Sequence, residues 1–312
     1  MLNQQDRYTG CMLGLAVGDA LGAPIEFMPP GSFEPLSDMI SGGPFNLQRG
    51  QYTDDTAMAL CIAESLLAKR AFDPVDQLER FVRWYRQGYL SSTGDCFDIG
   101  NTTRAALEDF ERTGKPFRPA GGLRGGNGAI MRLAPMAMAF ASQPAEAIRL
   151  CGESAQTTHN FVECVDACRL LGALIVGALG GVPKEHLLAP SYSPVEGLWE
   201  RQPLTPSVQE ISLGAYQRKY PPAIRGGGLA TESLEAALWA FDHSSSFEQG
   251  AMLAVNLGDD ADSTGAVFGQ LAGAYYGLPA IPARWLDALW SRQLILDYAQ
   301  GIYALVSGHD HP

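Results

Sequence analysis

The chain has 312 residues, 46% hydrophobic and 18% charged, enough apolar surface for a sizeable core and too compact a composition for disorder. Its 22 Lys and Arg against 34 Asp and Glu give a net charge of −12, which disfavours nucleic acid and acidic membranes as partners. No run of about 18 apolar residues occurs, and the opening MLNQQDRYTG lacks the regions of a signal peptide, so a cytoplasmic protein without a membrane span is expected.

Residues 6–22 (DRYTGCMLGLAVGDALG) place Tyr8, Met12, Leu15 and Ala16 on one helical face, with small residues that allow close helix packing. Gly22 and Pro24 end this helix and leave Glu26 just past it, while Asp19 reads as a buried group supporting the turn. Residues 28–52 are rich in Gly and Pro and long enough for a lid or rim loop. Helical patterns follow over 56–70, 75–87, 102–113, 129–141, 144–155 and 160–180. Residues 183–228 mix Pro, Ser and charge and predict short helices and loops ending in Arg225-Gly226-Gly227-Gly228. Helical patterns resume over 231–241, 246–256, 264–277, 282–290 and 293–307. Alternating strand patterns are nearly absent, so the expected fold is compact and all-α, with 1–312 a single domain. The six cysteines (Cys11, Cys61, Cys96, Cys151, Cys164, Cys168) show no CxxC pair and are expected as buried free thiols.

Two acidic clusters stand out. Thr53-Asp54-Asp55-Thr56 and Asp259-Asp260-Ala261-Asp262-Ser263 each precede a helical run, where Asp, Ser and Thr serve as caps and suit the positive end of the helix dipole. Three aspartates within four residues exceed what capping needs. Carboxylates so close repel one another unless a cation is present, and carboxylate and hydroxyl oxygens favour Mg²⁺, Mn²⁺ or Ca²⁺ over zinc. Neither cluster has the closing Glu of a 12-residue EF-hand loop. A two-metal site built from two helix N-termini is the reading set against capping.

The segments GLAVGDALGAPIEF, YTDDTAMAL and NLGDDADSTGAVFGQLAGAYYG, with DIGNTTRAAL, GGNGAIMR and TTHN between them, resemble the ADP-ribosylglycohydrolase family. Within it, they are most similar to the dinitrogenase reductase-activating glycohydrolase-like branch. The six pieces occur in consistent order over roughly residues 8–290. The resemblance implies a compact orthogonal helical bundle with a central dinuclear Mg²⁺ or Mn²⁺ cleft that removes ADP-ribose from modified protein side chains. It implies Thr53, Asp54, Asp55, Asp260, Asp262 and Ser263 as metal ligands, Ser263 standing where the family more often has Thr. It further implies Glu26 and Asp98 as catalytic carboxyls, with Asn101, Gly126, Asn127, Gly128 and His159 lining the substrate site.

Taken singly, several of these have plain structural readings: Asn101 as a helix cap, the glycines as a turn, His159 as a satisfied histidine. Arg104 and Arg132 are candidate phosphate ligands, each also able to pair with a nearby acid. Relatives carry a tyrosine that can stack on adenine where this chain has Leu229, so the expectation is either a contact from Phe33 or Phe45 of the 28–52 loop or a looser hold on the adenine. The leading expectation is a monomeric hydrolase acting on ADP-ribosyl-arginine proteins and releasing ADP-ribose. The alternatives are a hydrolase of ADP-ribosyl-serine or O-acetyl-ADP-ribose, and a non-catalytic binding or structural relative.

Overall fold

In the computed structural model, which describes residues 2–308, the chain is a set of helices joined by turns and loops. The described residues form no strand, only isolated bridges pairing Gly42 with Leu47 and Gly126 with Leu229. In chain order the helices are α1 (Gln4–Gly22), α2 (Asp54–Lys69), α3 (Pro74–Gln87), α4 (Asn101–Thr113), α5 (Ala134–Ala139), α6 (Pro144–Gln156), α7 (Val162–Leu179), α8 (Lys184–Leu187), α9 (Leu198–Arg201), α10 (Pro206–Ser212), α11 (Ala230–Asp242), α12 (Phe247–Val255), α13 (Ala261–Tyr276), α14 (Ala283–Ala288) and α15 (Arg292–Ser307). The all-α expectation holds. No helix among the described residues is long and apolar enough to cross a membrane.

Local chemistry sets the helix ends. The Asn3 side chain accepts from the Asp6 N–H at 2.7 Å to start α1. Asp73 and Pro74 open α3, and Gly88 at φ 64 closes it. The pattern over 129–141 yields only the short α5. Pro135 lies in the first two positions of α5, where its missing N–H is harmless, and its ring prevents an earlier turn from running through. Residues 127–132 form turns instead.

Helix α1 is buried from Tyr8 to Gly22, as a helix apolar all round must be. Gly10, Gly14, Gly18 and Gly22, four residues apart on one face, lie against Gly273, Gly269, Gly265 and Ala261 of α13. A Cβ at Gly14 would sit 2.3 Å from the Gly269 carbonyl oxygen, and one at Gly18 2.0 Å from that of Gly265. The two backbones touch, which glycine alone permits. The pairing is antiparallel, so the end of α1 meets the start of α13. At the other end, Arg7 donates to the carbonyls of Ala178, Ala274 and Tyr275, tying the C-termini of α7 and α13 to α1.

Around this pair the remaining helices contribute one large apolar cluster. Five cysteines are buried, Cys96 is half-buried, and all six are free. The 28–52 segment is a pinned rim. Asn256 binds both the N–H and carbonyl of Leu36, and Asp38 accepts from the Trp285 indole at 2.5 Å.

Gly14→Ala tests the helix contact. Alanine ordinarily favours a helix by about 1 kcal/mol over glycine, yet here the variant is expected to lose about 3 kcal/mol from overpacking, read as a drop of roughly 6–12 °C in Tm. Gly180→Ala, whose Cβ would meet nothing nearer than 3.4 Å, serves as the control and should stay within about 0.5 kcal/mol of the parent.

Candidate metal centre and cleft

The antiparallel α1–α13 contact brings Asp19 and Glu26 from the end of α1 to the N-terminus of α13. The N-terminus of α2 meets them there. Thr53 Oγ1 shares its one proton between Asp19 Oδ1 at 3.0 Å and Asp262 Oδ2 at 3.1 Å, and Ser263 Oγ donates to Asp55 Oδ1 at 3.3 Å, so each acidic cluster is hydrogen-bonded to the other. Glu26 follows the 3-10 turn Ala23–Ile25, and Asp98 sits at φ 57 just before α4. One oxygen from each of Glu26, Asp98 and Asp262 lies within 4.8 Å of the other two, close enough to share one cation. The geometry thus places the two expected catalytic carboxyls beside an expected metal ligand.

Capping does not account for the first cluster. Thr53 precedes α2 without a side-chain cap bond. The cap comes from α1 instead. Asp19 Oδ1 accepts from the N–H and hydroxyl of Thr53 at 2.9 and 3.0 Å, and Oδ2 from those of Thr56 at 3.0 and 2.6 Å. Asp19 is fully buried and is the structural support that the sequence pointed to, though for a different element than its own turn.

Above this floor lies a cleft of about 320 Å³, lined by Glu26, Phe27, Asp54, Asp98, Asn101, Gly126, Asn127, Gly128, His159, Asp260, Asp262 and Ser263, among others. Residues 99–103 bring the N-terminus of α4 into its wall, where unpaired N–H groups favour anions or hydroxyls. Asn127 lines the cleft while its amide donates to Asp260 Oδ2 at 3.0 Å and Ser233 Oγ at 2.9 Å, so it also orients an acidic residue of the floor. Gly128 is sterically required, since a Cβ there would lie 2.8 Å from His159 Cε1.

Arg132 does not reach the cleft. It is buried, donates to the Gly128 carbonyl and to Thr158 Oγ1 (2.6 Å), and lies over the Phe81 ring at 4.6 Å. Thr158 Oγ1 in turn pairs with His159 Nδ1 at 2.9 Å. Burial and the Arg132 charge lower the His159 pKa to about 3, so the imidazole is neutral at ordinary pH. With the Thr158 hydroxyl accepting from Arg132 and donating to Nδ1, the ring carries its proton on Nε2, over the 126–128 loop. Arg104 is exposed and outside the lining. Phe33 packs its ring on Gly258 and is not presented to the cleft, and Leu229 is engaged in the bridge to Gly126. The residues that sequence reasoning missed are Thr158, whose role depends on a remote arginine, and Phe27, whose only signal was its place beside Glu26.

Glu26 Oε2, Asp55 Oδ2 and Asp262 Oδ1 are buried without a hydrogen-bond partner. Buried carboxylates in that condition protonate or hold a cation, and this set of hard oxygens fits a divalent ion. Burial first, then the Asp98 charge, pushes Glu26 up to about 10; burial, then Asp260, pushes Asp98 up to about 7. Asp19 rises only to about 6, its burial offset by the four donated hydrogen bonds. Asp54, Asp55 and Asp262 are raised by burial and then by neighbouring carboxylates, and Asp260 by burial.

These upward shifts make the native state hold protons that the unfolded chain releases near pH 4. The stability they contribute is full below that pH and lost as pH rises through the native values of about 6, 7 and 10. Chelator-treated protein should therefore melt at a lower temperature at pH 8 than at pH 5. Added Mg²⁺ or Mn²⁺ should restore the pH 8 value, by linkage to the native state. Melting that is independent of both pH and cation would remove the metal reading.

Comparison with known proteins accords with this geometry. The family model for ADP-ribosylglycohydrolase matches residues 1–312. The chain is 41% identical over 302 residues to an ADP-ribosylarginine hydrolase Tri1 of Pseudomonas putida (strain GB-1), covering 96% of this chain and 78% of that one. It is 33% identical over 288 residues to the ADP-ribosyl-(dinitrogen reductase) glycohydrolase of Rhodospirillum rubrum, covering 91% and 90%. A solved structure described as an ADP-ribosylglycohydrolase-related protein complex superimposes with a TM-score of 0.85 at 44% identity, over 97% of this chain and 98% of its own. A cleft floored by buried acids at two helix N-termini, on an all-α frame, and a match over the whole sequence lead to one conclusion: the chain belongs to the ADP-ribosylglycohydrolase family.

Proposed function

We propose that this protein hydrolyses the N-glycosidic bond joining ADP-ribose to the guanidinium of a modified protein arginine. The observation that carries the reading is the floor of the cleft, where two helix N-termini and Glu26, past the end of α1, leave three buried carboxyl oxygens unpartnered. Thr53, Asp54, Asp55, Asp260, Asp262 and Ser263 would hold two ions, Mg²⁺ or Mn²⁺. When bound, these supply positive charge that fixes the ribose diol and acidifies a water.

The chain's own groups do the rest. Glu26 and Asp98 lie beside each other, both raised by burial and by neighbouring carboxylates, and form the pair in which one carboxyl gives a proton while the other accepts one. They move the proton between the attacking water and the departing nitrogen. Asn127 holds Asp260, and the N-terminus of α4 and the His159 Nε2–H offer neutral donors for the diphosphate. That arrangement recognises an anion without basic side chains, as a protein of charge −12 requires. The protein acts as a monomer in a reducing compartment such as the cytoplasm, where its six free thiols persist.

Incubation with arginine-ADP-ribosylated and serine-ADP-ribosylated proteins, with Mg²⁺, Mn²⁺ or a chelator, tests the reading. ADP-ribose should be released from the arginine target in a cation-dependent manner. Asp54→Ala and Asp260→Ala should each reduce turnover more than about 100-fold, beyond the usual cost of disturbing a ligand's support, in protein that still shows helical circular dichroism. Preferred release from the serine target would move the substrate assignment. Release from neither would leave a binding protein.

A further inference from the structure

One wall of the cleft carries an aromatic group that the hydrolysis described above does not use. Phe27, Phe45 and Phe97 come from three separate segments. The Phe27 and Phe45 ring centroids are 6.4 Å apart at 70°, and those of Phe45 and Phe97 are 5.1 Å apart at 55°. Phe27 is 63% exposed and lines the cleft. Two of the three rings adjoin the cleft carboxyls in sequence: Phe27 follows Glu26, and Phe97 precedes Asp98.

Phe27 sits at φ 63, a left-handed conformation that a bulky side chain adopts only at a cost. Its N–H donates to the Asp259 carbonyl at 2.6 Å, and the Asp259 N–H donates to Met28 O at 2.8 Å, which clamps the segment. The cost gains no burial, since the ring faces water. An exposed apolar ring held this way is explained by contact with something outside the chain.

The chemistry of the two sides of the cleft differs. The Gly126–Gly128 loop and the neutral His159 imidazole line one side and add no carboxylate, which suits an anion. The other side presents the Phe27 ring beside the Glu26 and Asp98 carboxyls, surroundings suited to a cation and hostile to phosphate. We infer that the Phe27–Phe45–Phe97 ledge receives the arginine side chain that carries the ADP-ribose. Its guanidinium, still cationic after modification, lies against the rings, and the flanking peptide runs over Phe45. The inference rests on the proposed arginine hydrolysis and names the part of the site that selects its leaving group.

The test compares Phe27→Ala, Phe27→Leu and Phe27→Tyr for hydrolysis of an ADP-ribosyl-arginine peptide and for calorimetric binding of free ADP-ribose. Loss of the ring face should raise KM for the peptide about tenfold in the Ala and Leu variants, with kcat changed less than about twofold, as for uniform binding. Phe27→Tyr should retain the parent KM, and all three should bind ADP-ribose as the parent does. Parent-like KM in Phe27→Leu would overturn the cationic contact, and weakened ADP-ribose binding would assign the ring to the nucleotide. A parent protein that cleaves no arginine linkage fails the proposed function separately. The ledge is then judged from the affinity of the uncleaved peptide relative to ADP-ribose, and equal effects of Phe27→Ala on both would overturn it.

Discussion

The contact on which the rest depends is the backbone-to-backbone seam between α1 and α13. Glycines at intervals of four on each helix let carbonyl oxygens of one approach the Cα atoms of the other. A seam without side chains restricts the register, because a slip of one to three residues would drive Cβ-bearing neighbours into the partner backbone. That register decides which residues meet at its end. Glu26 and Asp19 arrive from one helix, Asp260 and Asp262 from the other, and α2 is tied in by the bonds from Thr53 and Thr56 to Asp19. The placement of the acids is therefore a property of the core.

Those acids are costly to the fold that assembles them. Seven carboxyls, Asp19, Glu26, Asp54, Asp55, Asp98, Asp260 and Asp262, lie at or beneath one floor, and the pKa of each is raised, with burial the largest cause. They are not equivalent. Asp19 has four donors and serves as a cap, whereas Glu26, Asp55 and Asp262 each keep an oxygen that nothing in the protein satisfies. The contrast separates an acid used for structure from acids left able to hold a cation.

Much of this was legible in the sequence, because helical periodicity and the small-residue spacing of 6–22 are local patterns. The acidic clusters were legible as a pair, and the chain brings Glu26, Asp98 and both clusters to one cleft. What local pattern could not show is who satisfies whom across long separations. The cap of α2 comes from Asp19, 34 residues upstream of Thr53. Arg132 looked like a phosphate ligand because charged residues are seldom buried, but its partners, Thr158, the Gly128 carbonyl and the Phe81 ring, enclose it in the core. The helix expected over 129–141 was cut to α5 by Pro135, a signal that was readable and that the apolar pattern masked.

The Arg132–Thr158–His159 chain has a consequence for how the two sides of the cleft have room to diverge. Its arginine is enclosed, its threonine is spoken for at both ends, and its imidazole rests on a glycine that tolerates no side chain. Each member is fixed by the others, so a single substitution there is felt throughout, and that side should drift slowly. The opposite wall carries the exposed Phe27 ring, on a segment clamped by main-chain bonds indifferent to side-chain identity. New side chains can be accommodated on that wall one residue at a time, while the interlocked half stays as it is.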